Sequence, residues 1–195
     1  MRDLYKSGIT PQQKLVGVNN RFGNSDIKFQ QGTTRCLYDS LPLTAAGQTL
    51  RFFEDSSSRT FPLSNTGSEG NKLGVGETMV IEKIMFQLAV FNPDTRRWSS
   101  PNAFSILLND AKYDINLGNQ TVIKDFSLVS QYPSFADDPN QTAFWYSFDT
   151  DVVIPPLINF YINVQMGQAG AIPANTYLRC FIIGSAGILA PRTTF

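Results

Sequence analysis

At 195 residues the chain can form one domain with an arm, and its core can take about 70% of the unfolded surface out of water. Hydrophobic residues make up 42%, with 15 Phe and 7 Tyr, while charged residues reach only 16% against the roughly 25% of ordinary soluble domains, which excludes disorder and coiled coil. A formal net charge of zero excludes polyanion binding by bulk charge, and the absence of histidine removes the commonest general base, metal ligand and pH switch.

The first 35 residues hold Arg2, Lys6, Lys14, Arg21, Lys28 and Arg35 against Asp3 and Asp26, a net of +4, which leaves −4 on the rest. No apolar stretch of a secretory signal follows the first six residues, so synthesis in a cytoplasm is expected. No run approaches the about 20 apolar residues that span a bilayer, so no transmembrane segment is predicted. Thr10-Pro11-Gln12-Gln13 has a capping residue, Pro at the first helical position and Gln three after the cap, which predicts a short helix to Val18. Residues 1–34 therefore read as a basic N-terminal arm, and Arg2, Lys6, Lys14 and Arg21 as its contact residues toward a neighbouring subunit or enclosed nucleic acid.

From residue 35 onward the periodicity is that of strands. Short runs are predicted at 35–38, 50–53, 79–91, 104–108, 112–117, 121–126, 143–148, 152–154, 160–166 and 177–183. The clearest is Phe160, Ile162, Val164 and Met166 alternating with Tyr161, Asn163 and Gln165, a strand whose first set faces a core. In 79–91 the even positions Val80, Ile84, Phe86, Leu88 and Val90 are apolar apart from Glu82, which predicts one core-facing side. Turn signals such as Asn92-Pro93-Asp94, Leu117-Gly118-Asn119 and Asp138-Pro139-Asn140 separate the runs, and many short strands between turns mean a sandwich or barrel. The stretch 55–77, with five Ser and four Gly, reads as a long surface excursion.

No catalytic constellation assembles. A triad needs an imidazole, and the glycines at 67, 70, 74 and 76 lack the Lys-Ser/Thr ending of a phosphate loop. Asp149 and Asp151 have the residue type for glycoside acid and base work or for calcium, but their spacing fits a turn, where Asp bonds its own backbone. Cys36 and Cys180 read as two buried free thiols. No cofactor and no metal are expected. Arg96-Arg97-Trp98 places two cations beside an indole, the composition of an interface anchor, and is assigned as a subunit contact. Low charge together with 14 Asn and 11 Gln points to a chain that covers much of its outside with copies of itself.

The segments Arg51-Phe52-Phe53-Glu54-Asp55 and Phe61-Pro62-Leu63-Ser64-Asn65 carry a resemblance, as do the run from Leu73-Gly74-Val75-Gly76-Glu77 to Glu82 and Val153-Ile154-Pro155-Pro156-Leu157-Ile158-Asn159-Phe160. Together they resemble jelly-roll structural proteins of bacterial virus particles. The resemblance implies an all-β fold, a single jelly roll or two-sheet antiparallel β-sandwich over 35–195 with an N-terminal arm, which tiles an icosahedral shell. It departs from the double jelly-roll capsid proteins, whose chains are considerably longer, so one roll is expected. The function implied is that of a non-enzymatic virion protein, made in the host cytoplasm, that forms a homo-oligomer (trimer or pentamer) and contacts other capsid proteins as a major, vertex or decoration subunit. The alternative is a carbohydrate-binding β-sandwich, a viral receptor-binding module among them, with Trp98 or Trp145 as the sugar platform.

Overall fold

In a computed structural model of the chain, the described residues are 13, 30–45, 47–54, 59–66, 71–99, 110–128, 143–167 and 172–189. Nine strands run in order: β1 (Gln30–Pro42), β2 (Thr49–Phe52), β3 (Thr78–Asn92), β4 (Arg97–Ser99), β5 (Lys112–Leu117), β6 (Gln120–Ser127), β7 (Ala143–Ile154), β8 (Phe160–Gln165) and β9 (Thr176–Leu189). One sheet has the order β1-β9-β3, with β7 and the short β4 both paired to β3, and the other has the order β2-β8-β5-β6. All pairings are antiparallel.

The pairings β1 with β9, β2 with β8, β3 with β7 and β5 with β6 are nested. They are successive rungs of one long hairpin whose tip is the β5–β6 turn. Rolling that hairpin so that alternate rungs fall in opposite layers gives two four-stranded sheets, β1-β9-β3-β7 facing β2-β8-β5-β6, with β4 as an added flap. This is the jelly roll. At the hairpin tip Leu117 pairs with Gln120, and Gly118 takes the first central position with φ +59°, a conformation side chains disfavour.

The two sheets close on an aromatic core. Phe86 of β3 lies 6.3 Å from Phe52 of β2 and 5.2 Å from Tyr113 of β5. Tyr113 in turn meets Phe126 of β6 at 5.4 Å, and Phe126 meets Tyr146 of β7 at 4.7 Å. Centroid separations in this range and tilted rings are the favourable arrangement for aromatic pairs. Phe160, Ile162 and Val164 are buried here, as their alternation predicts.

Strand β3 departs from its predicted parity. Its core residues are Met79 and Ile81, then Ile84, Phe86 and Leu88. A β-bulge between Ile81 and Lys83 inserts Glu82 against β9, where Ile81 pairs with Gly184 and Lys83 with Ile183. One extra residue moves every later side chain to the other face. The same rung distorts β7: Ile81 pairs with Val152 and Lys83 with Ser147. Residues 148–151 therefore bulge from one continuous strand, where sequence reading has two strands and a turn. The exposed Asp149 and Asp151 stand on this bulge, an arrangement that keeps an edge strand from recruiting another.

The β1 edge is covered by part of the long excursion. Asn65 donates its backbone N–H to the Tyr38 carbonyl at 3.2 Å, and its side-chain amide accepts from Tyr38 N–H and donates to the Cys36 carbonyl, both at 2.7 Å. Beneath this strap the fully buried Asp39 carboxylate accepts two bonds from the Arg59 guanidinium at 2.8 Å, one from Phe53 N–H at 2.8 Å and one from Ser40 N–H at 3.0 Å. Residues 59–66 are thus built into the fold.

The start of β1 is tied to the turn before β3 through Arg35, which donates to Glu77 at 2.8 Å, while Gly74 N–H donates to the same carboxylate at 3.1 Å. Partial burial raises the Glu77 pKa, but the Arg35 hydrogen bond, the Gly74 amide and the Arg35 charge together hold it below its ordinary value. A depressed folded-state pKa gives stabilisation that is complete above the unfolded value of about 4.3 and is lost as pH falls through the lower folded value. The stability difference between the wild type and Glu77→Gln is therefore expected to shrink between pH 6 and pH 3. Thermal melts of both across that range test it, and a constant difference would contradict it.

Candidate functional site

The outward faces of the two sheets differ in chemistry. On the β2-β8-β5-β6 sheet the outward side chains are mostly polar, among them Thr49, Asn163 and Gln165, and include two ion pairs, Arg51 with Glu54 at 2.5 Å and Lys112 with Asp125 at 2.6 Å, with Arg51 also stacked 4.1 Å over Tyr161. Such exposed pairs contribute little stability and suit a solvated surface.

On the other sheet, the outward positions of β9 are Tyr177, Arg179, Phe181 and Ile183, all half-buried. Register sets Tyr38 of β1 and Met85 of β3 on either side of Phe181, and Gln87 beside Arg179. The β3–β4 hairpin brings Trp98 onto the same face, where its ring lies 4.8 Å from Phe91 and 5.6 Å from Tyr177. Arg179 is the centre of this cluster. Its guanidinium carbon sits 4.4 Å from the Trp98 centroid, 4.7 Å from Phe181 and 6.0 Å from Tyr38, and it donates to Gln87 Oε1 at 3.1 Å. Burial pushes its pKa down, only partly opposed by Tyr38. The result is a partly desolvated cation flanked by aromatic rings, and partial loss of water strengthens cation–π attraction.

Of the three residues assigned to a contact loop, Trp98 enters this cluster. Arg96, at φ +53°, turns its guanidinium to the Phe61 carbonyl, and Arg97 is exposed on β4. The arm residues Arg2, Lys6, Lys14 and Arg21 lie outside the described residues, as does the Trp145 side chain; of the arm's predicted helix only Gln13 is described, and it is helical. β1 already begins at Gln30, five positions before the predicted start of the β domain. One face of the Trp98 indole is taken by Arg179, so less of the ring is open to stack on a sugar than a bare platform offers.

Arg179, Phe181 and Tyr38 are the members that sequence reading missed. The available signal was that both alternating sets of 177–183 are non-polar or aromatic apart from Arg179, the pattern of a strand covered on both sides with one cation set among the rings.

A second apolar surface lies at one end of the sandwich. Val75 is 71% exposed, Leu157 53% and Ile158 41%. Leu157 adopts φ +61° and donates its N–H to the Leu73 carbonyl at 3.0 Å, while Gly118 N–H donates to the Asn159 carbonyl at 2.7 Å. Backbone bonds thus hold this tip rigid with its apolar side chains outward.

Among the described residues no group of three or more His, Cys, Asp or Glu stands together to hold a metal ion, and no helix is long and apolar enough to cross a membrane. A shallow cleft of about 250 Å³, lined by residues 42–44 and 172–177, presents no carboxylate, amine or thiol. Both cysteines are free, but only Cys180 is buried, where desolvation raises its pKa well above the ordinary thiol value. Cys36 is exposed, correcting the expectation of two buried thiols, because its position on β1 points outward while Cys180 points into the core. No protein-family model matches the chain, and no curated protein matches it.

Proposed function

We propose that this chain is a non-enzymatic structural protein of a bacterial virus particle, a single jelly-roll tile that works by contact with copies of itself and with other shell proteins. The observation that carries the reading is the aromatic and cationic outward face of the β1-β9-β3-β7 sheet, set against a polar face on the opposite sheet. Half-buried Trp, Tyr and Arg in one patch are the composition of an interface hot spot. The rigid tip of Val75, Leu157 and Ile158 offers a second, different surface, and two unlike surfaces on one subunit support ring closure into trimers or pentamers. The resemblance of 51–55, 61–65, 73–82 and 153–160 to virion jelly-roll proteins supplies the particle setting, and the basic arm the contact with a neighbour or the genome.

Trp98→Ala is expected to weaken self-association by roughly tenfold or more, since truncating an aromatic anchor costs about 2 kcal/mol of binding. Sedimentation equilibrium of the full chain and the variant measures it. Equal association of the two would remove this face from the contact. A glycan array run on the same proteins separates the sugar-binding reading: saturable glycan binding lost in Trp98→Ala, from a chain that stays monomeric, would replace the tile.

A further inference from the structure

Four ion pairs are formed among the described residues: Arg35–Glu77, Arg51–Glu54, Arg59–Asp39 and Lys112–Asp125. Arg179 belongs to none of them. It is nonetheless half-buried, its one hydrogen bond goes to the neutral Gln87 amide, and its Nε is buried with no acceptor. Beside it the Trp98 Nε1 is buried with no acceptor as well. A half-buried cation whose Nε is cut off from water, and whose neighbours are rings and an amide, is a costly arrangement for an isolated molecule, and an opposite charge is what offsets it. The surrounding rings of Trp98, Phe181, Tyr38 and Tyr177 extend the site into an apolar surface, so the missing anion fits one delivered by a macromolecule that covers the rings together with the cation.

We propose that a carboxylate of a second copy of this chain seats against the Arg179 guanidinium, turning the Trp98–Arg179–Phe181 cluster into a buried ion pair between subunits. This rests on the self-association reading and names its chemistry. Charge complementarity selects the occupant. The chain has as many acidic as basic residues, and Asp94, Asp110 and Asp149 are exposed carboxylates with no cation and no hydrogen bond on the side chain among the described residues. A second copy therefore carries the group the site lacks. A desolvated charge pair at the centre of an apolar patch fixes register as well as affinity, because any misaligned copy leaves the cation buried and unpaired.

The test compares full-length wild type, Trp98→Ala, Arg179→Gln and Arg179→Lys. Arg179→Gln is expected to raise the concentration needed for assembly by a factor on the order of 30 or more. Arg179→Lys keeps the charge and adds an amine that a carbodiimide can couple to a touching carboxylate. In a mixture of isotopically heavy and light copies, the amide cross-link at position 179 is expected to join heavy to light peptides, and its acceptor identifies the carboxylate. The cross-link decides the matter even where Arg179→Gln does not fold. Assembly of folded Arg179→Gln at the wild-type concentration, or cross-links at 179 confined to single copies, overturns the ion pair. If Trp98→Ala is defective in that case, the contact face stands without it. A wild type that never associates overturns both.

Discussion

Asp39→Ala is expected to lower the folding free energy by about 3–5 kcal/mol, the cost of removing one partner from a buried ion pair. The carboxylate is fully buried and satisfies four donors at once: both forks of Arg59 and the amides of Phe53 and Ser40. These donors come from β1, from the end of β2 and from the strap over the β1 edge, so one side chain joins three segments. Alanine leaves a guanidinium and a Phe53 amide without an acceptor in a dry site, and each orphaned donor carries a desolvation cost. Asp39→Asn, which keeps part of the bonding but no charge, is expected to fall between wild type and alanine. Urea unfolding of the three proteins measures the order, and an alanine variant within about 1 kcal/mol of wild type would show that the strap is not anchored here.

Gly184→Ala is the second large effect, and its cause is collision. A Cβ on Gly184 would stand 1.8 Å from the Val80 carbonyl oxygen and 2.9 Å from its carbon. These are main-chain atoms of the neighbouring strand, which no rotamer change can move aside. The close approach exists because the Glu82 bulge draws β3 against β9 at that rung, where Ser185 also donates to Glu82 at 2.6 Å. Accommodating a methyl means opening the central ladder of the sheet, so a loss of about 3 kcal/mol or more is expected, a fall in Tm of roughly 10 °C for a chain of this size. A fall of less than about 2 °C would mean that the bulge is soft.

The fold class was readable because alternation is strong where a strand has one wet face: Phe160, Ile162 and Val164 are buried and their neighbours are not. The bulge at Glu82 was not readable, since the residue that permits it, Gly184, lies a hundred positions away and becomes its neighbour only through the sheet. For the same reason β7 reads as two strands: Asp149 and Asp151 are turn residues by local chemistry, and only pairing to β3 on both sides of them makes them a bulge. The three-residue β4 is too short to carry a period. Trp98 could be picked out by its two arginine neighbours in sequence, yet the arginine it stacks on is Arg179, which its apolar surroundings disguise as part of a core strand. The site is assembled from β1, β3, β4 and β9, and no window along the chain contains it.

The central claim, that this jelly roll acts by binding its own copies through the Arg179 face, is tested most directly by the native mass of the full-length protein measured by sedimentation velocity over rising concentration. A closed symmetric oligomer that grows in at the expense of monomer, and that Arg179→Gln delays, is the expected result. A single monomeric boundary at every concentration would contradict the account.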